Sequence, residues 1–464
     1  MSRRRRSSPA GFTPRISMIS LGCAKNTVDA EMALALALEG GFDLAIDPVD
    51  ADIVLINTCG FIQPARDEAA DVIREILDLK KRGGGRLKVA VMGCLAERSP
   101  LETEKDFAGI DAIWGLDIFA TLPQALKRLM AGGGLDRAGF GKPAPVPEGP
   151  RLLSTPASYA YLKISDGCDN RCAYCAIPDI RGHFRSRQPD AVVEEARVLA
   201  GNGVGELVVI SQDTTYYGRD RDDGVGIAEL LERLLAAVDT PRIRLLYAHP
   251  AHFDNRLADM LCDEPRLCRY LDIPFQHVSE RVLGLMGRHY GADRIQEILE
   301  RFDNSGLTLR TTLLTGFPGE REEDFLETLQ LVDSGRIQHV GVFAYSPEQG
   351  TPAYSMPDQV PAEEAERRRD LLLTAQRDSA FDWLDSRIGG EEMVLVDRRI
   401  DSDWVEGRTI REAPDADGSI LLEGAFQPGD HVSACIAGRE GYDLLARAAQ
   451  GHARKPERRS RRGK

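Results

Sequence analysis

Of the nine cysteines in the 464 residues, six fall into two sets of three. The compact set is Cys168-Asp-Asn-Arg-Cys172-Ala-Tyr-Cys175. Three thiolates in so tight a loop suit a metal cluster. An iron–sulfur cube has four irons, so three ligands leave one iron with an open position. Open positions are where bound metals do chemistry. A zinc site is the competing reading, but zinc wants a fourth ligand nearby. The nearest histidine, His183, lies eight residues beyond Cys175.

The dispersed set is Cys23, Cys59 and Cys94. Each lies one or two residues beyond an apolar run that reads as a strand: Ile16–Leu21, Ile53–Asn57 and Lys88–Met92. In a parallel sheet these strand ends share one edge, where open α/β sheets place their ligands. A lone cysteine there is ordinarily a buried apolar side chain. Three in the same topological place point to a shared metal site, again with an open iron. Cys262, Cys268 and Cys435 lack that placement and read as structural. His249, His252 and His277 lie near strand ends, where they either line an active mouth or serve as hydrogen-bonded structural histidines.

The elements that must position these residues form three segments, as about 150 residues per domain would suggest. Over 14–125 the strand runs alternate with helical patterns at Asn26–Glu39 and Ala65–Lys80, giving an open parallel α/β domain. A Gly/Pro-rich stretch, Gly132–Pro150, reads as a linker. Over 155–385 six strand runs separated by helical patterns predict a partial (βα)6 barrel: Tyr159–Ile164, Leu207–Ser211, Ile243–Tyr247, Tyr270–Pro274, Thr308–Leu314 and His339–Tyr345. Over 387–450 short strands between Gly, Pro and Asp turns predict a small β-barrel. The class is α/β with an all-β appendix.

The net charge is −14, and the arginine-rich tails oppose it: Arg3–Arg6 carry +4 and Arg454–Lys464 carry +6, so the body between them carries −24. Both tails are expected to be disordered. So acidic a body fits poorly with extended nucleic-acid binding; it either suits a basic protein partner or only confers solubility. From Arg387 to Ala446 six arginines face thirteen acids, net −7, the opposite of a barrel built to grip tRNA phosphates. The acids around Asp401, Asp403 and Glu406, with Asp415 and Asp417, are the expected contacts to that partner. No apolar run reaches the roughly 18 residues of a membrane span. The basic N-terminus is followed by no apolar signal region, so the cytoplasm is the expected location.

Leu-Gly-Cys23-Ala-Lys-Asn-Thr-Val-Asp-Ala-Glu31, Ile-Asn-Thr-Cys59-Gly-Phe-Ile and Met-Gly-Cys94-Leu-Ala-Glu-Arg98 resemble the N-terminal domain of the methylthiotransferases. Asp166-Gly-Cys168 through Cys175-Ala-Ile-Pro-Asp-Ile-Arg-Gly182 resembles their radical S-adenosylmethionine (SAM) core, and the C-terminal barrel resembles their TRAM domain. One branch of the family, MiaB-like, modifies an adenosine in tRNA. The other, RimO-like, modifies the β-carbon of an aspartate in small-subunit ribosomal protein S-twelve. Four stretches resemble the second branch: Ile210-Ser-Gln-Asp-Thr-Thr-Tyr-Tyr-Gly218, Asp272-Ile-Pro-Phe-Gln-His277, Gly341-Val-Phe-Ala-Tyr-Ser-Pro-Glu348 and Arg411-Glu-Ala-Pro-Asp-Ala-Asp-Gly418.

That resemblance implies a transferase with two [4Fe–4S] clusters. One, on Cys168, Cys172 and Cys175, would bind SAM; the other, on Cys23, Cys59 and Cys94, would hold the sulfur to be transferred. It also implies an external electron donor. For SAM itself, Tyr174 lies between two cluster cysteines, so its backbone could face the adenine. Gly205-Glu206 resembles the Gly-Glu stretch that binds the methionine amino group, and Gln212 sits just beyond the second strand. Thr315-Gly316-Phe-Pro-Gly-Glu320 either lets backbone approach the ligand or forms an ordinary turn. Two other readings stay open: a tRNA methylthiotransferase, and a non-catalytic iron–sulfur or zinc scaffold.

Overall fold

The structure is a computed structural model that describes residues 13–141, 146 and 148–454. Of the tails expected to be disordered, Arg3–Arg6 and 455–464 lie outside the described residues, while Arg454 ends a strand. The chain forms two compact units. One comprises Met1–Ser154 with Ala176–His183, the other Thr155–Cys175 with Phe184–Lys464.

The first unit is a six-stranded parallel sheet: β1 (Arg15–Ser20), β2 (Asp43–Leu44), β3 (Ile53–Thr58), β4 (Lys88–Gly93), β5 (Ala112–Trp114) and β6 (Asp136–Ala138). The strand order is β2-β1-β3-β4-β5-β6. Every residue of β3 is buried, as expected of a central parallel strand covered on both faces. Successive side chains alternate between the faces. Ile53 and Leu55 pack with Met32, Ala33 and Ala37 of α1 (Ala24–Glu39). Val54 and Ile56 pack with Ala69, Ile73, Ile76 and Leu77 of α2 (Gln63–Arg82).

One element here differs from expectation. β6 lies inside the stretch read as linker, paired in parallel with β5. Its sequence, Asp-Arg-Ala, has no apolar alternation, because this short edge strand is held by backbone pairing.

The second unit contains β7 (Tyr159–Lys163), a short antiparallel pair β8 (Ser165–Asp166) and β9 (Arg185–Ser186), then β10 (Glu206–Ile210), β11 (Arg242–Leu245), β12 (Tyr270–Asp272), β13 (Thr308–Thr315) and β14 (His339–Ala344). β7, β10 and β11 form one parallel sheet, and β12, β13 and β14 another. An isolated bridge between Ile243 and Leu267 carries the order across the gap. These are the six βα units of the expected partial barrel.

Five further strands, β15 (Glu391–Arg399), β16 (Trp404–Arg408), β17 (Ile420–Glu423), β18 (His431–Glu440) and β19 (Asp443–Arg454), close into a small barrel. Val394, Val396, Val405, Ile420, Leu422, Val432 and Ile436 fill it.

This barrel docks on the N-terminal half of the central strands, away from the end that leads into the cysteine loop. Tyr159 and Tyr161 of β7 donate their hydroxyls to one oxygen of Asp415, at 3.0 and 2.7 Å. Asp417 accepts from Tyr270 at 2.6 Å and pairs with Arg310 at 3.3 Å and His339 at 3.4 Å. The expectation that Asp417 meets a basic partner is therefore corrected, since its carboxylate is used within the unit, whereas Asp415 stays exposed although it accepts two hydroxyls. Asp397 and Glu412 are likewise turned inward, onto Arg408 and Arg387. These two pairs cancel and leave the net charge of the barrel at −7. Asp401 and Asp403 remain exposed, and Glu406 pairs with Arg398.

Candidate cluster sites and their surroundings

Cys23, Cys59 and Cys94 follow β1, β3 and β4, three adjacent strands, at the same edge of the sheet. Small residues let their loops meet. Gly22 has φ +94°, and a Cβ there would come within 2.7 Å of the Cys59 Cβ and 3.3 Å of its Sγ. A Cβ on Gly60 would come within 2.8 Å of the Leu95 backbone, beside Cys94. Asn26, buried in the first turns of α1, ties the loops together. Its Nδ2 donates to Leu21 O at 2.9 Å and Thr58 O at 3.1 Å, and Cys94 Sγ stands 3.7 Å from its Oδ1.

Arg181, from the Ala176–His183 stretch, donates to Asn26 Oδ1 at 2.8 Å and to Asp29 at 2.9 Å. Burial pushes the Cys94 thiol up to about 12; Arg181 opposes the rise, while Cys23 and Cys59 add to it. Burial also raises Cys59, where Cys23 again adds. All nine cysteines are free. Three convergent, sulfur-only donors fit an iron–sulfur cluster, whose irons thiolates hold. Buried neutral thiols would release protons as metal binds.

Cys168, Cys172 and Cys175 sit in the loop beyond β7 and β8. The loop is held at several points. Asn170 Nδ2 donates to Asp213 at 2.8 Å, Ala173 N to Met286 O at 2.8 Å, Ala353 N to Ala173 O at 2.8 Å, and Cys175 N to Cys172 O at 3.0 Å. Arg171, between two of the cysteines, takes φ +49°. Burial pushes the Cys168 thiol up to about 12, with a backbone hydrogen bond from Asn170 opposing. These three thiols also fit a cluster ligand set, and the loop follows the C-terminal end of a barrel strand, where such folds place their sites.

The expected SAM contacts fare differently. Tyr174 packs edge-on against Phe317 at 6.4 Å, and its hydroxyl accepts from Arg288 at 3.4 Å. Gln212 lies two residues beyond β10, donates to Asp166 at 3.0 Å, and has a buried Oε1 without a partner among the described residues. Glu206 is corrected. It opens β10, in register with Tyr159, so it sits at the strand end opposite the cysteine loop. It is fully buried, with Arg244 at 2.7 Å, Arg408 at 3.3 Å and Arg242 at 4.0 Å. Burial raises its pKa, but the arginines outweigh that and hold it at about 2. It is an internal ion-pair hub beneath the small barrel. Gly316 is no ligand cradle either: at φ +76° it makes room for Ala365, whose Cα would lie 2.9 Å from an added Cβ.

The histidines resolve as neighbours of the mouth. His252 Nδ1 meets Asp213 at 2.8 Å, and His249 stacks on His252 with ring centres 4.9 Å apart. Burial, aided by Arg288, lowers His249 to about 2, so its ring is neutral. Asp213 also accepts from Asn170, Thr215 and the Tyr216 backbone, which saturates it structurally. His277 Nδ1 accepts from Val278 N and Ser279 N at 2.9 and 3.0 Å, a structural role. Arg181, Asp213 and Arg288 are the neighbours that the sequence reading missed as site residues. Cysteine spacing gives no sign of any of them.

The family models that match agree with this layout. Residues 15–115 match "Uncharacterized protein family UPF0004", 162–332 the "Radical SAM superfamily" and 388–449 the "TRAM domain". The chain is similar to "Ribosomal protein uS12 methylthiotransferase RimO" of Trichlorobacter lovleyi, 40% identical with 93% of this chain and 97% of that protein covered. It is also similar to the protein of that name from Desulforudis audaxviator, 41% identical over 93% of this chain and 96% of that one. Among solved structures, the radical SAM methyltransferase TsrM from Kitasatospora setae, solved with cobalamin and a [4Fe-4S] cluster, shares the fold at TM-score 0.53 and 17% identity, covering 74% of this chain and 77% of that one. Identity of this order along nearly the whole length places the chain in the RimO family, whose members are radical SAM methylthiotransferases that work with SAM and a [4Fe–4S] cluster.

Proposed function

We propose that this protein adds a methylthio group to the β-carbon of an aspartate in small-subunit ribosomal protein uS12. The observation that carries the proposal is about 40% identity, across 93% of the chain, to proteins named for that activity. In this reading Cys168, Cys172 and Cys175 hold the SAM-binding cluster, and Cys23, Cys59 and Cys94 hold a second [4Fe–4S] cluster. When bound, the first supplies the electron that breaks a SAM sulfonium C–S bond to give a radical that abstracts hydrogen, and the second supplies the sulfur.

The chain's own part is placement. Asn170, Ala173 and Cys175 are hydrogen-bonded so that the radical-site loop keeps one shape. Asn26 ties the loops before Cys23 and Cys59 and stands beside the Cys94 thiol. Such prior ordering is what makes positioning effective in catalysis. An external one-electron donor is the other partner, and the cytoplasm, where the ribosomal substrate is made, is the proposed location. No helix among the described residues is long and apolar enough to cross a membrane.

The test is mass measurement of small-subunit ribosomal proteins from cells with and without this gene. The expected result is a uS12 lighter by one methylthio substitution when the gene is missing. An unchanged uS12, with loss of a methylthio adenosine from tRNA instead, would refute the assignment.

A further inference from the structure

Arginines buried in the second unit meet carboxylates. Arg187 pairs with Glu195 at 2.5 Å, Arg244 with Glu206 at 2.7 Å, and Arg408 with Asp397 at 2.7 Å. Arg387 pairs with Glu412 and Glu392. This is the rule for charge taken out of water.

Arg288, half-buried, has no such partner. Its guanidinium donates to Pro274 O at 2.9 Å, to the Tyr290 hydroxyl at 3.0 Å, to the Tyr174 hydroxyl at 3.4 Å and to Cys172 Sγ at 3.3 Å. Among the described residues no carboxylate stands within the 4.0 Å of an ion pair. The side chain is also fixed. Tyr290 lies under the guanidinium, 5.1 Å from its ring centre, and donates its own hydroxyl to Phe275 O at 2.6 Å. Two residues before it, Met286 O accepts from Ala173 N, between Cys172 and Cys175. A cation has thus been pinned against the Cys172 thiol, with no carboxylate to match it among the described residues.

We propose that Arg288 is the counter-charge of the cluster on Cys168, Cys172 and Cys175, and that it raises that cluster's reduction potential. The proposal rests on those cysteines holding a cluster. On reduction the cluster takes one electron from an external low-potential donor, with no bond made or broken, and becomes more negative by one unit. A fixed positive charge stabilises the more negative state, as does an N–H donor to a ligand sulfur; both are recognised determinants of cluster potential. Arg288 acts through Cys172 and is a positioning residue. Arg181, beside the other set of cysteines, is already matched by Asp29. The two sites therefore differ in whether the neighbouring cation is compensated.

The test uses the full-length chain with Cys23→Ala, Cys59→Ala and Cys94→Ala, so that one cluster gives the signal. The reduced cluster is titrated with dithionite and followed by electron paramagnetic resonance, without SAM. Arg288→Gln should keep its iron and lose about tenfold in the reduction equilibrium constant, which is about 59 mV for a one-electron couple. Arg288→Lys should recover most of that loss. If the glutamine variant does not load iron, Arg288→Met is titrated in its place with the same expectation. An iron-loaded neutral variant with an unchanged potential overturns the proposal. So does an unchanged potential with weakened SAM binding, which would make the SAM carboxylate the missing anion. A parent chain that binds no iron fails differently, since it removes the cluster reading itself.

Discussion

The Tyr161 hydroxyl donates to Asp415 at 2.7 Å, joining the first strand of the central domain to a turn of the C-terminal barrel 254 residues later. Tyr159 meets the same oxygen at 3.0 Å. Hydrogen bonds to a charged group contribute about 1.5–3 kcal/mol each. Asp415→Ala should therefore destabilise the second unit by about 3 kcal/mol, read from its denaturant midpoint. A double-mutant cycle with Tyr161→Phe should show coupling of about 1 kcal/mol or more. Additive effects would mean the barrel is held by other contacts.

Glu206→Gln separates two roles for one residue. An internal hub predicts a loss of roughly 3 kcal/mol, because removing one partner leaves buried arginines uncompensated. SAM affinity, measured by equilibrium dialysis below the unfolding transition, should be unchanged. A variant of normal stability that no longer binds SAM would restore the residue to the cofactor site.

Acid stability follows from the same hub. Glu206 and Glu412, both deeply buried, are held by their arginines at about 2, against an ordinary value of 4.5. A carboxyl with a depressed folded pKa contributes stability that is fully present above its unfolded value and is lost as pH falls through the folded one. Unfolding temperature of the second unit should thus be flat above about pH 5 and fall between 4.5 and 2. Glu412→Gln should make that fall shallower; an equal slope would show that other carboxylates dominate.

The two cysteine sets should be separable. Iron should fall from about eight to about four per chain when Cys23, Cys59 and Cys94 become Ala, taking four irons per cube. That variant should lose methylthiolation yet keep cleaving SAM to deoxyadenosine. Loss of both activities together, with the remaining iron intact, would contradict the division of labour. Zinc in place of iron in anaerobically prepared protein would sink both cluster assignments.

Much of this was legible in the residues. β3 and β10 announce themselves as apolar runs because both their faces are covered, and cysteines just past predicted strand ends could be placed on one edge. Glu206 was misassigned although the sequence held the signal. It directly precedes the run Leu207–Ser211, which puts it at the start of a strand, while the cysteines follow strand ends. Asp417 was misjudged for a different reason. A charge count along a segment carries no information on which way each carboxylate faces. β6 has no apolar period to read, and Arg288 is one arginine among many until its neighbours are known.

The short stretch Ala176–His183 is claimed by the first unit although the chain has already entered the second by residue 155. Its Arg181 reaches Asp29 and Asn26, both buried in α1. The first unit is therefore discontinuous, which bears on how the protein is born. Domains generally fold as units, N-terminal first, while the chain is being synthesised. Here a nascent chain that has emerged only as far as Ser154 lacks the ion pair beside Cys94. Closure around Asp29 must wait until the loop with Cys168, Cys172 and Cys175 has left the ribosome as well. The order of synthesis thus makes both sets of cysteines available before the first domain is complete.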